Sequence, residues 1–574
     1  MEKLTLSSNQ LTQNIENLQN HLNEIKVEGA YISSFDAYLS EYVPRQECHR
    51  YYVTGFTGSM AEVFVPANGR VQLFVDGRYY EQAEREVDPK LVEINKCGLG
   101  LNEFLFKYIK DHEITSIAYE ASRTPISTLK TMEQTLDAKA MDEAKLSKLL
   151  SYQTFRADGE LYCAKRPDSE STHLKLERVI KNEHEAIFVS ALDSISWLSN
   201  LRSNGIPNSS FFLAKSIATS QTLYLFLNTE VPSDKIGSDN IKIFSEDSFE
   251  DVLKSITADG KIERILYDAE RITAKDYHSL CGVVSEDNLD EFPGGLYTFQ
   301  SRKLDSELAA IRESFDLADL AILNSIKTIR QKVKSGQQVS ERDLYNETNS
   351  SYKNLGALSQ SFTTIASTGV NSSVIHYGDA SDKVFVEDGD WMLLDSGGYW
   401  ESGFATDTTR TFMANPDAEP STEQKKIYTL VLKGYINAST AIVKEGTIGA
   451  VIDGLARAPI NEYGYNYEHG TGHGVGISVH EEGIKFRPSS NTPIYPGQVV
   501  SIEPGIYLPG FGGCRFENII EVVAHPKFPG FVYFESLVYI GLDLALIDDS
   551  LLSEKERLWV ENYQKKCAKL NRVF

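Results

Sequence analysis

The sequence has few cysteines, no long apolar run and no excess of positive charge. Its six cysteines stand singly, with no Cys-x-x-Cys pair, which excludes a disulfide framework and a zinc ribbon. No stretch approaches the roughly 18 apolar residues of a transmembrane helix. Residues 1–8 lack the basic and apolar regions of a secretory signal. We therefore expect a cytoplasmic protein that has no membrane partner.

The charge balance narrows the classes of partner. The 574 residues carry 57 Lys and Arg against 81 Asp and Glu, a formal net charge of −24. Nucleic acids and anionic membranes are bound by clustered basic side chains, so we expect neither as a partner. The composition is otherwise that of a globular protein with enough chain for several cores.

Two boundaries divide the chain into three segments. The first is a polar stretch at 165–172, and the second is a Pro-Gly-Gly break at 291–295. The first two segments share a plan: strand patterns at 30–36 and 71–76 correspond to those at 186–193 and 222–228. A duplicated α/β domain explains this plan, although two unrelated α/β domains would also fit it.

The third segment begins with helices. Apolar residues at steps of three and four predict a helix over 304–322, and Ser340 with Asp343 forms a capping box that predicts the start of a second. Short strands and Gly-rich turns follow. Four histidines lie in this region: His376, His469, His473 and His480.

Two predicted hairpins present carboxylates. The apolar strand at 391–394 ends in Asp395, and the next strand, 405–413, places Asp407 on the same face as Thr409 and Thr411. An antiparallel pairing of these strands would bring Asp395 and Asp407 together. The strand at 499–502 ends in Glu503, and its expected partner, 514–523, carries Arg515 and Glu517 on one face.

A single carboxylate at a strand end usually points into solvent, but four that converge repel one another unless cations lie between them. A pair of divalent metal ions meets this requirement. A fifth ligand should be a histidine. His469 and His473 have the spacing of a helical zinc pair, but four glycines at 470–476 predict a loop or irregular strand there. The run also lacks the strand–helix context of a dinucleotide-binding loop. An oxygen-rich set of this kind favours Mn, Mg or Co.

The order of these motifs resembles the pita-bread metallopeptidases (family M24), which include methionine aminopeptidase, prolidase, aminopeptidase P and creatinase. The resemblance implies that two metal ions are held by a set of five residues. They are Asp395, Asp407, His473, Glu503 and Glu517. It implies catalytic and substrate-binding roles for His376, His469 and His480, and proton transfer by Glu503. Arg515 occupies the position of a substrate-binding arginine near the second metal.

Over nearly the whole chain, the sequence resembles the three-domain X-Pro aminopeptidase branch of this family. Residues 39–44, 54–59 and 76–79 resemble its first creatinase-like domain, and 192–198 its second. The implied fold is α/β (α+β): two creatinase-like N-terminal domains, 1–166 and 167–300, precede a pita-bread catalytic domain, 301–574. A homodimer is also implied. The interval from Asp395 to Asp407 is one residue longer than is typical of the family, and we expect the turn at 401–403 to absorb it.

The activity that this resemblance implies is removal of an N-terminal residue that precedes proline, by water activated between two divalent metal ions. The expected metal is Mn(II), with Co(II) or Zn(II) as alternatives, and the expected partners are peptides with proline in the second position. A prolidase that cleaves X-Pro dipeptides remains an alternative. Methionine aminopeptidase typically lacks the two N-terminal domains. Creatinase and the non-catalytic binding proteins of this fold work without metal, whereas all five ligands are present here.

Overall fold

The computed structural model describes residues 5–98, 100–152, 155, 157, 159–164, 170–228, 238–258 and 260–574. They form two compact units: the first lies within residues 5–296, and the second consists mainly of Tyr297–Phe574 together with Pro207–Ser210. The predicted first boundary falls largely on 165–169, which lie outside the described residues. Of the helices in these ranges, none has the length and apolar content that a membrane crossing requires.

The first unit begins with a six-stranded mixed sheet in the order β4-β3-β2-β1-β5-β6. Its strands are β1 Gly29–Ile32, β2 Glu62–Pro66, β3 Val71–Val75, β4 Val92–Lys96, β5 Ser116–Tyr119 and β6 Asp137–Ala140. Its helices are α1 Ser8–Ile25, α2 His49–Thr54, α3 Tyr80–Glu86, α4 Leu101–Asp111, α5 Ile126–Met132 and α6 Glu143–Leu150. β1 and β3 are buried along their whole length, as expected for apolar strands covered on both faces.

A second six-stranded sheet follows in the order β12-β11-β10-β8-β13-β14. Its strands, with the small pair β7 and β9, are β7 Tyr162–Cys163, β8 Glu185–Val189, β9 Leu201–Arg202, β10 Lys215–Thr219, β11 Leu223–Leu227, β12 Ile241–Ser245, β13 Arg264–Tyr267 and β14 Leu289–Glu291. The helices are α7 Thr172–Val179, α8 Leu192–Ser199, α9 Phe249–Thr257 and α10 Ala274–Cys281.

The two sheets repeat one plan. In each, the third and fourth strands of the order pair antiparallel, as do the second and third, while the remaining pairs are parallel. β1 corresponds to β8 and β3 to β11, which are the strand pairs that the sequence predicts. Both sheets contribute to one apolar core, where Phe64 and Ile117 belong to the same cluster as Phe188 and Phe226. This shared core explains why the two halves form a single compact unit.

The second unit contains the remaining helices and strands. The helices are α11 Tyr297–Gln300, α12 Asp305–Lys334, α13 Glu341–Asn354, α14 Thr422–Ser439, α15 Gly449–Asn461 and α16 Glu554–Lys569. The strands are β15 Ser359–Gln360, β16 Ile365–Thr368, β17 Trp391–Ser396, β18 Gly398–Tyr399, β19 Thr408–Met413, β20 Val443–Lys444, β21 Gly472–Gly474, β22 Glu481–Phe486, β23 Val499–Ile502, β24 Gly505–Leu508, β25 Gly512–Arg515, β26 Asn518–Ala524 and β27 Phe531–Ser536.

Three sheets and the helices packed on them surround the region of the predicted carboxylates. The sheet orders are β16-β17-β19, β20-β27-β26-β23-β21-β22 and β24-β25. α14 is buried along most of its length, and its Leu430 and Ile436 belong to a core cluster that also contains Ile502 and Phe516. The two predicted helix starts are confirmed: α12 begins at Asp305, and Ser340 caps α13 in a box with Asp343.

One strand prediction was wrong. The segment 514–523 is not a single partner of β23, because the chain divides between β25 and β26. β26 pairs antiparallel with β23, whereas β25 pairs with β24. Glu517 therefore lies in the break between two strands, where its carboxylate can turn toward β19.

Candidate metal centre

A hairpin of β17 and β19 carries the two aspartates. Asp395 pairs with Thr409 in the antiparallel ladder, and Asp407 immediately precedes β19, two residues before Thr409 on the same face. A bridge between Tyr399 and Ala405 continues the same register. Over the described residues 391–413 the ladder runs without a register shift, and the chain reverses at 400–404, where the extra residue is expected.

The two glutamates approach from the neighbouring strands. Glu503 follows β23, and Ser501 donates to its Oε1 over 3.2 Å. Glu517 is held twice: Thr409 donates to its Oε2 (2.8 Å), and Arg410 donates to its main-chain carbonyl (2.7 Å). These hydrogen bonds hold one oxygen of each carboxylate and the backbone of Glu517 in place.

His473 lies on β21, at a point where the register with β22 shifts. This confirms the prediction of an irregular strand at the glycine-rich run. Its Nε2 is 3.5 Å from Asp407 Oδ2 and 3.4 Å from Glu503 Oε1. The ligand atoms of Asp407, His473 and Glu517 all lie within 4.8 Å of one another, a separation that one ion can bridge. The hairpins thus bring the predicted ligands to one place.

Burial at the candidate centre disfavours the ionised form of its carboxyl groups. Burial, together with repulsion from the neighbouring carboxylates, raises the pKa of Asp407 and of Glu517 well above the usual values. Burial raises the pKa of Glu503 to about 7, and repulsion from Asp395 adds to the effect. A cation at this point would reverse the balance by favouring the ionised form of each carboxyl.

Two oxygen atoms show that the residues fit a metal. Within the described part of the chain, Asp395 Oδ1 and Glu517 Oε1 are buried and have no hydrogen-bond partner. Buried carboxylate oxygens are almost always paired with a donor or a cation. The donor set is four carboxylates and one imidazole, which suits hard divalent ions.

Arg515 brings a positive side chain to this site, and only 2% of its surface is exposed. Its Nη2 donates to Asp395 Oδ2 over 2.7 Å and its Nε donates to Thr409 over 3.0 Å. Nη1 donates to the hydroxyl of Tyr507 (2.8 Å). The guanidinium therefore orients one carboxylate and leaves that carboxylate's other oxygen toward the centre.

Tyr507 is a residue that the sequence reasoning missed. Besides accepting from Arg515, its hydroxyl lies 3.0 Å from Nε2 of His469. Nδ1 of His469 is 2.7 Å from the carbonyl of Gly470, which can only accept, so Nδ1 carries the proton and Nε2 accepts from Tyr507. A hydrogen-bond chain thus runs from Asp395 through Arg515 and Tyr507 to His469. The only signal in the sequence is that Tyr507 lies four residues after Glu503 in an apolar strand.

The other two histidines are placed differently. The ring of His480 packs edge-on against that of His473, with 4.2 Å between the centroids. His376 is half-buried just after a turn at Gly369–Ser373, and the preceding carbonyl, of Ile375, accepts from Arg515 over 3.4 Å. His480 therefore lies among the residues that surround the centre, and His376 lies next to Arg515.

Comparison with known families divides the chain in three. Residues 309–524 match metallopeptidase family M24. Residues 14–149 and 162–292 each match the creatinase/prolidase N-terminal domain. These ranges contain the two six-stranded sheets of the first unit and the candidate metal centre.

The chain is similar to full-length relatives and to solved structures. A probable Xaa-Pro aminopeptidase P of Talaromyces marneffei is 31% identical over 93% of this chain and 85% of its own length. Aminopeptidase P2 of Arabidopsis thaliana is 28% identical over 94% and 82%, respectively. The X-prolyl aminopeptidase of Caenorhabditis elegans, described as a cytosolic enzyme with a di-nuclear active site, superposes with a TM-score of 0.88 at 24% identity, covering 97% of this chain and 96% of that one. The likeness confirms the predicted fold class.

Proposed function

Because the chain belongs to metallopeptidase family M24, we propose that it is an aminopeptidase that hydrolyses the bond between an N-terminal residue and a following proline. The similarity to aminopeptidases P over almost the full length supports this activity. The observation that carries it is the convergence of Asp407, Glu503 and Glu517 on His473, beside two buried carboxylate oxygens that have no hydrogen-bond partner among the described residues.

Two divalent metal ions would be held by the five residues at this point. They are Asp395, Asp407, His473, Glu503 and Glu517. When bound, such a pair lowers the pKa of water and polarises the carbonyl of the scissile bond. The oxygen-rich donors support Mn(II) as the metal, with Co(II) or Zn(II) as alternatives. The di-nuclear site of the nematode relative supports the number of ions.

The remaining polar residues would bind the peptide and move protons. Glu503 is the proposed acceptor of the proton from the attacking water, because its Oε1 lies at the centre, 3.4 Å from Nε2 of His473. His469 is held in one tautomer by Gly470 and Tyr507, so its ring is fixed before substrate arrives. We assign His480, His376 and Arg515 to substrate binding, with the two histidines stabilising the charge that develops on the scissile carbonyl oxygen.

A peptide with proline in the second position needs a binding site different from that of most peptidases. An X-Pro amide has no N–H, and the ring fixes the backbone, so a site that reads a strand by its N–H groups cannot hold it. Recognition must then rest on the free N-terminal amine and on the shape of the ring. The acidic surroundings of the candidate centre suit an ammonium group at that end of the peptide.

A cleavage assay tests the proposal. The full chain would be stripped with a chelator, reconstituted separately with Mn(II), Co(II) and Zn(II), and incubated with an Arg-Pro-Pro peptide and a matched Arg-Ala-Pro peptide. We expect release of free arginine from the first peptide alone, and only after metal has been restored. Cleavage of both peptides, or full activity in the stripped protein, would contradict the proposal.

An X-Pro dipeptide included in the same assay separates the alternative activity. A prolidase cleaves the dipeptide and leaves the longer peptide intact, whereas we expect the longer peptide to be cleaved.

Organisation and location complete the proposal. We propose domains at 1–166, 167–300 and 301–574, which the three matched ranges support. The single, scattered cysteines of the sequence and the cytosolic location of the nematode relative support a cytoplasmic protein. A homodimer follows from the family resemblance, and light scattering of the purified chain would test it by giving a mass near twice 64.2 kDa.

A further inference from the structure

A buried ion pair lies beside the candidate metal centre and has no place in the proposed chemistry. It joins Lys303 to Glu481, and only 2% of each side chain is exposed. Lys303 Nζ also donates to the carbonyl of Gln300 (2.7 Å), and the amide of Gln300 donates to Glu481 Oε2 (3.1 Å). We call these three residues the Glu481 anchor. Both carboxylate oxygens of Glu481 have a partner. The ion pair therefore fixes the position of this carboxylate, and the buried charge is balanced.

The anchor ties down the loop 475–480. The carboxylate of Glu481 lies so close to the backbone of Gly476 that a Cβ there would collide with it. On its other side the loop is held by β18 and by the segment that leads into β19. Ala405 donates to the carbonyl of Gly476 (2.8 Å), and the hydroxyl of Tyr399 donates to that of Ile477 (3.0 Å). The loop therefore has fixed contacts on both sides.

His480 directly precedes the anchored glutamate. His480 is the last residue of the loop and Glu481 is the first of β22, so the anchor that holds the Glu481 side chain also fixes the backbone to which the imidazole is attached. That imidazole packs on the ring of His473, 4.2 Å between centroids. The orientation of Glu481 therefore sets the position of His480 at the centre.

We propose that Lys303 and Gln300 are positioning residues that hold His480, through Glu481, in the place where it acts on the peptide. This inference rests on the proposed aminopeptidase function for the role of His480, but not for its position. Residues of this kind do not act on the substrate but orient a side chain that does. Their replacement commonly lowers activity about 10–100-fold.

The test replaces Glu481 by Gln, which keeps the shape and removes the charge. We expect kcat for Arg-Pro-Pro to fall about 10–100-fold while the metal content stays the same. The second readout is independent of activity. In protein labelled with 13C-histidine, the Cε1–H signal of His480, identified by its absence in His480→Gln, should shift because the ring leaves its place against His473.

A milder variant guards against misfolding, and a second ion pair provides the control. Gln300→Leu removes one hydrogen bond and keeps the charges, so it should give a smaller loss of kcat with a shift of the same signal. Lys433 and Glu556 form another lysine–glutamate pair in this unit, 2.7 Å apart and 14% and 9% exposed. We expect Glu556→Gln to lower the thermal midpoint without changing kcat or the His480 signal.

The outcomes separate the possibilities. If Glu481→Gln and Gln300→Leu behave like the control, with lower stability but an unchanged kcat and an unshifted His480 signal, the anchor is only structural and the inference is wrong. If the His480 signal shifts but the wild-type chain cleaves no X-Pro peptide, the positioning stands and the proposed function fails.

Discussion

Replacing Glu503 by Gln should abolish activity and, unusually for an active-site change, stabilise the protein from which metal has been removed. Burial raises the pKa of this carboxyl from 4.5 to about 7. At pH 8 the carboxyl is ionised in both the folded and the unfolded chain. Keeping the charged form buried destabilises the folded chain. Each pKa unit corresponds to about 1.4 kcal/mol. The buried charge therefore lowers the free energy of unfolding of the wild-type protein by about 3 kcal/mol, a cost that the glutamine variant does not have.

The sign of the effect defines a pH window. Because folding raises this pKa, the carboxyl favours the folded state below about pH 4.5, and that contribution is lost as the pH rises through about 7. At pH 5 the advantage of the variant should therefore shrink to about 1 kcal/mol or less. The charge of Glu503 also raises the pKa values of Asp407 and Glu517. Removing this charge weakens the repulsion on those two carboxyls, which also stabilises the variant.

Chemical denaturation of the stripped proteins at pH 5 and pH 8, followed by circular dichroism, measures this difference. Glu561 supplies a matched control, since it is 59% exposed on α16 and its replacement by Gln should change neither stability nor activity. A stripped Glu503→Gln protein that is less stable than wild type at pH 8, or equally stabilised at both pH values, would refute the electrostatic argument. A fully active variant would refute the proposed proton transfer.

Two further substitutions test other parts of the site. Tyr507→Phe removes the hydroxyl that links Arg515 to His469, so kcat should fall about tenfold with both metal ions still bound; an unchanged kcat would contradict the assigned chain. In Gly397→Ala the new Cβ would overlap the carbonyl oxygen of Thr406, so we expect a loss of about 1–3 kcal/mol and a lower metal content by mass spectrometry. Gly454→Ala, with nothing within 4 Å, should instead stabilise its helix by about 0.5–1 kcal/mol, and a destabilised Gly454→Ala would count against this steric argument.

The parts of the site that could be predicted from the sequence are those that follow from strand periodicity. Asp395 and Asp407 share a face because their strands have a period of two and one tight turn, and both features are local. Glu517 was harder: the break between β25 and β26 depends on which strand pairs with which, and pairing between distant segments leaves no local mark. Tyr507 was missed for a related reason. Its role depends on Arg515 and His469, which it meets only in the folded chain.

The second unit buries charge in two ways that differ in their physical consequences. The Glu481 anchor pairs each of its oxygens with a donor from within the chain, so its geometry is independent of metal. Among the described residues, Asp395 and Glu517 each keep one buried oxygen without a hydrogen-bond partner, and burial raises the pKa of Glu517 well above its usual value, so the folded chain bears a cost for that charge. Metal binding offsets that cost, which couples loading to the stability of this unit. His480, held by the anchor rather than by the ions, would then already be in position when the metals arrive.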